Sequence, residues 1–411
     1  MTIYDTFFFL SLGAGLLMAF NLGANDVANS MASAVGARAI TVKQAVYIAG
    51  ILNFVGAVFM GSHVTATVSK GIINTASIND PKLIMIGMFA SLLAAGVWVL
   101  AATLTALPVS STHSIVGSIM GFGLVTGGPD VVNWLTMGGI VLSWIISPFF
   151  AAALSFLIFT HIRRHILYKK HFIRQSIRWA PVWMALTVAL VLFSFLFKTP
   201  VGKQLHLSWP QAGLLALLLS LPVWLAMRFL MRRMIKDVEV GAEAVEDIFR
   251  KMQIGTSCYV ALSQGANDVA NAIGPVAAIY VIAREKVLLA QAPTPMPILI
   301  LGGVGIALGI TVFGHKVMTT VGQRITTLTN TRGFSVDFGA ASTVLLASNL
   351  GLPVSTTHAA VGGVVGVGLA RGFSAVDFRV LGKIVVYWLL TVPIAALTSI
   401  VIFTVLKWTC Y

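Results

Sequence analysis

The chain has 411 residues, of which 57% are hydrophobic and only 10% charged. Soluble globular chains run nearer to about 25% charged, so a water-soluble enzyme, a nucleic-acid-binding protein and a disordered chain are all excluded. The net charge of +14 sits on bases scattered between apolar segments, which is the bias of loops flanking membrane spans. At roughly 25–30 residues per span and loop, this length holds ten to twelve transmembrane helices.

Apolar windows of about 19 residues recur at 6–35, 43–69, 83–107, 108–126, 131–160, 179–197, 207–230, 253–283, 296–315, 336–352, 353–371 and 378–406. The first segment lacks a basic stretch followed by a small-residue cleavage site, so Thr6–Phe20 reads as a retained span. Segments 108–126 and 353–371 are rich in Gly, Ser and Thr. Each fits either a full crossing or a re-entrant hairpin. Twelve crossings with the N-terminus outside put most of the 27 Lys and Arg residues on the inner side, which the positive-inside rule favours. Lys43 and Arg371 then lie inside, and Lys82 and Arg284 outside. Cys258 and Cys410 fall towards opposite faces, and form neither a disulfide nor a metal cluster.

Two stretches are not membrane. Residues 161–178 form a basic cytoplasmic loop. Residues 232–252 mix both signs, with Ile235, Val238, Val245, Ile248 and Met252 at roughly helical spacing. They read as an amphipathic cytoplasmic helix lying against the membrane or the protein body.

A duplication organises the rest. Gly23-Ala24-Asn25-Asp26-Val27-Ala28-Asn29 returns letter for letter as Gly265-Ala266-Asn267-Asp268-Val269-Ala270-Asn271. Leu107-Pro108-Val109-Ser110-Ser111-Thr112-His113 returns as Leu352-Pro353-Val354-Ser355-Thr356-Thr357-His358. The expected organisation is a first repeat over 1–160, a middle region over 161–252 with two inserted spans, and a second repeat over 253–411. Seven spans precede the second copy, and an odd number inverts it. Inverted repeats with interrupted helices in matching places mark secondary transporters, with the binding site near the midplane.

Asp26 and Asp268 are acids set well inside apolar spans, at a cost of about 2.5–3.5 kcal/mol on insertion scales. Asn25, Asp26 and Asn29 share one face if the segment is helical; glycines and Asn/Asp clusters also favour local unwinding. Either way, carboxylate and amide oxygens converge. That chemistry suits Na⁺ or a transferable proton rather than zinc or copper. A bland alternative is an aspartate capping a broken helix, but an identical second copy favours function. In the second motif, proline followed by three hydroxyls reads as a first helical turn, with Pro near N1 and Ser or Thr at the cap. A helix N-terminus at membrane depth can hold an oxyanion. With no base in the motif, a cation must offset the anion's charge. A kinked helix whose Ser and Thr satisfy freed carbonyls is the alternative for a single copy. His113 and His358 could donate to phosphate or relay a proton; the preferred reading is of neutral residues bonded to neighbouring carbonyls. An intramembrane hydrolase built on Ser, His and Asp is disfavoured, because catalysis needs one asymmetric nucleophile and base.

At these motifs the chain resembles the PiT family of inorganic phosphate transporters. Gly-Ala-Asn-Asp-Val-Ala-Asn, present twice, is that family's signature, and Ala272-Ile273-Gly274-Pro275 also matches. The resemblance covers nearly the whole chain outside about 161–252. It implies an all-α polytopic membrane protein with about twelve transmembrane segments in two inverted repeats with broken or re-entrant helices. It also implies no enzyme activity, no cofactor and no nucleic-acid partner. The implied function is symport of phosphate with Na⁺ or H⁺ by alternating access, as a multi-pass homodimer in the plasma or inner membrane. Sulfate or another tetrahedral oxyanion is the alternative substrate. By resemblance, Ser110, Ser111, Thr112, Ser355, Thr356, Thr357, Asn25 and Asn267 hold phosphate. Asp26, Asn29, Asp268 and Asn271 hold the cation, with sodium at Asp26 and Asp268 if the coupling ion is Na⁺. Asp337 matches an acid of the family and is a candidate coupling group. Asn53 stands where some members carry a glutamate.

Overall fold

The computed structural model describes residues 2–61, 71–74, 77–78, 80–198, 202, 204–234, 242–286, 294–349 and 354–411. Leu352, Pro353, Ile235 and Val238 lie outside these residues. Among them are twelve α-helices: α1 Ile3–Gly36, α2 Val42–Met60, α3 Pro81–Leu104, α4 Ser111–Gly127, α5 Trp134–Ile162, α6 Phe172–Lys198, α7 Trp209–Met234, α8 Ala242–Glu285, α9 Met296–Gln323, α10 Asn330–Asn349, α11 Thr356–Arg371 and α12 Phe378–Cys410. Nine of these helices are long and apolar enough to cross a membrane. The exceptions are α4, α10 and α11.

Local chemistry sets the ends. Thr2 with Asp5 and Thr41 with Gln44 form capping boxes at α1 and α2, satisfying backbone donors that the first helical turn leaves free. Asp80 caps α3 with Pro81 just inside the helix, where a missing N–H does no harm. Ser110 and Ser355 cap α4 and α11, each accepting from the histidine N–H three residues on, at 3.2 Å.

The two copies run antiparallel. A β-carbon on Gly15 of α1 would meet Val276 of α8. Gln264 of α8 bonds the carbonyl of Asp26, and Ser33 and Ser257 share Asp337. Residue numbers rise on one helix as they fall on the other, which is the inversion that an odd number of spans predicts. The signature glycines permit the close crossings. A β-carbon at Gly23 would lie 1.9 Å from the carbonyl oxygen of Ile306 on α9, and one at Gly265 2.1 Å from that of Asn53 on α2. Only glycine lets these backbones touch.

The short segments resolve as hairpins. α3 runs alongside α1: Phe89 packs on Phe7, Asn21 bonds the Gly96 carbonyl, and Asn25 bonds Thr103. At that depth α3 ends. Leu107 N bonds Ala102 O and Ala106 N bonds Thr103 O, and Ala106 takes φ 57°, the left-handed helix stop that usually carries glycine. α4 then turns back, and its far end lies beside the start of α3, where Val132 pairs with Ile73. α1 continues ten residues past Asp26, about 15 Å at the rise of an α-helix. The hairpin therefore stops short of the far face. α10 and α11 do the same from the opposite face: Thr331 meets Glu246 near the start of α8, and Arg371 at the end of α11 returns to Thr327. Among the described residues every expected segment carries a helix, but four of them, α3, α4, α10 and α11, pair into two hairpins. Because each hairpin removes two crossings, the parity that inverts the second repeat is unchanged.

The repeats interlock. α4 packs on α12 and α11 on α5, so each hairpin's returning helix rests on the last helix of the other repeat. α1 packs on α9 and α8 on α2 in the same crossed fashion. Of the amphipathic stretch, residues 232–234 end α7 and residues 242–252 run on into the eighth span as one helix, α8. Val245, Phe249 and Met252 near its start are buried with Ile162 and Phe334 in a satellite core.

Candidate functional site

The site lies where the two hairpin tips meet between α1 and α8. Both signatures are uninterrupted helix, so neither aspartate caps a broken one. Their side chains are buried, together with Asp337, and no Lys or Arg is buried among the described residues. Three carboxyl groups thus sit in the interior, with hydroxyl and amide groups among their partners.

Asp26 accepts from Ser111 Oγ at 2.5 Å. Its other carboxylate oxygen and Gln264 Oε1 are buried without a hydrogen-bond partner among the described residues. Gln264 Nε2 is held 2.6 Å from the Asp26 carbonyl oxygen, which fixes that amide beside the acid. Both are oxygens of the type that bind hard cations. Asp268 accepts from Asn267 Nδ2 at 3.1 Å and from Thr356 Oγ1 at 3.4 Å. Among the described residues no group of three or more His, Cys, Asp or Glu side chains could hold a metal ion.

Bonds across the repeats join the two tips. Asn29 Nδ2 donates to Thr356 Oγ1 at 3.1 Å and to Thr357 Oγ1 at 3.0 Å. In mirror image, Asn271 Nδ2 donates to Thr112 Oγ1 at 3.2 Å. Thr357 Oγ1 also donates to the Val109 carbonyl at 3.2 Å. The N-termini of α4 and α11 consequently point at one another from opposite faces. Each brings the positive end of its dipole and unsatisfied first-turn N–H groups to the two aspartates.

Individual expected residues divide into different tasks. Ser111, Thr112, Thr356 and Thr357 occupy the first two positions of α4 and α11 and face the signatures. Ser110 and Ser355 use their hydroxyls as caps. Pro108 lies before the Ser110 cap instead of near N1, because the serine hydroxyl, not the proline ring, starts the helix. Asn25 is occupied in holding the tip: it donates to Thr103 Oγ1 and the Leu107 carbonyl, both at 3.1 Å, and accepts from Val109 N at 3.2 Å. Asp337 is apart from the tips, bonded by Ser33, by Ser257 Oγ at 2.5 Å and by Thr256 Oγ1 at 3.4 Å. Ser33 is seven residues beyond Asp26, about 10 Å along the helix. Asn53 bonds its own helix at the Ala49 carbonyl.

The histidines are bonded to carbonyls. His113 Nδ1 lies 3.4 Å from Trp388 O, and His358 Nδ1 2.9 Å from Trp144 O. His113 also packs on the Trp144 ring at 3.7 Å, His358 on Trp388 at 3.8 Å, and the two imidazoles meet at 4.5 Å. This four-ring cluster ties both hairpins to α5 and α12. Sequence reasoning missed both tryptophans, although Trp144 and Trp388 stand within two residues of the spacing that relates the repeated motifs. It also missed Gln264, whose counterpart Leu22 provides no such signal.

Inverted repeats whose hairpins meet tip to tip over buried, base-free carboxylates define a secondary transporter for an anion. The phosphate transporter family model matches residues 22–399. The chain is 50% identical over 409 residues to a protein of Pyrococcus abyssi named a phosphate permease, covering 98% of each. It is 39% identical over 413 residues to the chloroplast inorganic phosphate transporter 2-1 of Arabidopsis thaliana, covering 94% of this chain and 70% of that one. A solved structure titled the sodium-dependent phosphate transporter superposes with a TM-score of 0.91 at 48% identity, covering 98% of this chain and 99% of that one. The chain belongs to the phosphate transporter family, and it is an integral membrane protein.

Proposed function

We propose that this protein carries inorganic phosphate by symport with Na⁺, using the hairpin tips as the substrate site. One observation carries the reading: the N-termini of α4 and α11 converge on Asp26 and Asp268 through the reciprocal Asn29–Thr357 and Asn271–Thr112 bonds. In this reading Ser111, Thr112, Thr356 and Thr357, with the first-turn N–H groups, hold the phosphate oxygens. Asp26, with the free oxygens of its carboxylate and of Gln264, takes one cation. Asp268 takes its partner, and Asn29 and Asn271 orient the hydroxyls. Asn25 sets the depth of the first tip. Asp337, among three hydroxyls, is a further cation or proton site on the path towards the end of α1.

The charge balance supports coupling. Phosphate brought beside two buried carboxylates without a base is prohibitively costly unless cations enter with it. Oxygen-only ligands favour Na⁺ over a softer metal, and the solved relative is named for sodium dependence. A protonated phosphate can donate to Asp26 or Asp268. Sulfate at neutral pH has no hydrogen to give, so the site discriminates against it. Hairpins entering from opposite faces provide one gate to each side, as alternating access requires. The assembly proposed is a homodimer in the cell membrane, on the family resemblance, to be checked by the mass of the purified complex.

The test is uptake of labelled phosphate into proteoliposomes driven by a Na⁺ gradient alone, then by a pH gradient alone, with sulfate as competitor. Accumulation under Na⁺ alone that sulfate leaves unaffected is the expected result. Accumulation under the pH gradient alone replaces Na⁺ by H⁺, and competition by sulfate overturns the discrimination argument.

A further inference from the structure

The inserted helices α6 and α7 take no part in the tip site. They pack antiparallel on each other, and the start of α6 rests on α8. They are among the least enclosed of the nine long helices: 28% of the apolar window is buried in α6, the same share as in α12, and 17% in α7. Leu221, Leu225 and Phe229 of α7 are at least half exposed. Both helices therefore face hydrocarbon.

Where α6 begins and α7 ends, a groove of about 830 Å³ opens between them, lined by His171, Arg174, Arg178, Trp179, Trp224 and Arg228 among others. Arg174 and Arg178 are one helical turn apart on α6, and Trp224 and Arg228 one turn apart on α7, so each pair shares a face. The Arg178 guanidinium lies 5.7 Å from the Trp179 ring centroid and that of Arg228 5.4 Å from the Trp224 ring. No acidic side chain among the described residues lines the groove. The ion pairs found among the described residues are those of Arg250 and Lys251 with Asp247, so these three guanidinium groups have no carboxylate partner among the described residues.

We propose that this groove binds the phosphate headgroup of an anionic phospholipid. Guanidinium forks match phosphate oxygens in planar, charge-assisted pairs. Tryptophans beside arginines at helix ends are the usual furniture of the membrane–water interface, and basic pockets between transmembrane helices hold anionic headgroups. The exposed leucines of α7 extend from Arg228 along the same helix and offer acyl chains an apolar track. A lipid, rather than free phosphate, is the occupant because the groove opens beside hydrocarbon-facing helix surface. The bases place it in the inner leaflet.

The test is native mass spectrometry of the purified full-length protein with added phosphatidylglycerol or phosphatidylcholine. Phosphatidylglycerol should be retained at least about tenfold more, the effect of a single hydrogen bond to a charged group. The triple variant Arg174→Gln, Arg178→Gln, Arg228→Gln should lose that preference. A control losing equal charge outside the groove, Arg164→Gln, Lys169→Gln, Lys170→Gln, should keep it. Phosphate uptake in neutral-lipid vesicles should persist in both, showing that they fold; the single variant Arg178→Gln serves if the triple one does not. Equal retention of both lipids by the wild type overturns the proposal. So does equal loss in the control, displacement of the lipid by millimolar inorganic phosphate, or protection of Trp224 by a second copy of the chain.

Discussion

Asn29 on α1 donates to Thr357 on α11 at 3.0 Å across 328 positions of sequence. An N–H donor makes the hydroxyl an acceptor at that bond, so the threonine hydrogen must turn elsewhere, towards the Val109 carbonyl or an arriving oxyanion. Asn271 imposes the same sense on Thr112.

Replacing that donor by an acceptor of equal size reverses the hydroxyl. Asn29→Asp and Asn271→Asp are expected to weaken phosphate binding by about tenfold or more, by equilibrium binding in detergent. Unchanged affinity in both variants would leave the amides a packing role only.

The hydroxyls can be removed without changing shape. Thr112→Val and Thr357→Val should each weaken phosphate binding by about ten- to a hundredfold, the loss of one hydrogen bond to a charged group at roughly 1.5–3 kcal/mol. The proteins should still insert and purify. Wild-type affinity in both would assign these residues to the helix ends alone.

Asp26→Asn and Asp268→Asn keep size and an oxygen while removing one negative charge each. Both should abolish gradient-driven phosphate accumulation, and residual phosphate binding should depend less on the cation. The two should differ in degree, since each faces the membrane from the opposite side. If either retains full accumulation with unaltered cation dependence, coupling resides elsewhere, with Asp337 the next candidate.

Backbone contact makes the signature glycine a stability determinant. Gly265→Ala puts a carbon 2.1 Å from the Asn53 carbonyl oxygen and should cost about 1–3 kcal/mol by overpacking, seen as a lower thermal midpoint. Gly255→Ala in the same helix meets nothing within 4 Å and should be neutral or slightly stabilising. Equal midpoints for the two variants would show that the crossing has room.

Orientation is open to labelling. Single cysteines at Lys43 and Arg371 should react with an impermeant reagent only from inside, and those at Lys82 and Arg284 only from outside. Labelling of position 43 from outside would reverse the assignment of the faces.

Composition and the duplicated motifs were enough to read the membrane class, the twelve apolar segments and the inversion, and to single out Asp26 and Asp268 as buried acids. Those features are local or depend on parity, and parity survives errors in how far a segment reaches. The depth of a segment does not follow from its own hydropathy. Segment 83–107 is long and apolar enough to cross, yet it turns back where Asn25 grips Leu107 and Val109 from another helix. The same long-range bonds separated Asn25, which positions a tip, from Asn29, which reaches the other repeat. They also brought Ser33, Thr256 and Ser257 to Asp337 and stacked Trp144 and Trp388 on the two histidines. Sequence motifs record which groups are present; only the packing of α1 against α8, close enough for backbones to touch at glycine, decides which of them meet.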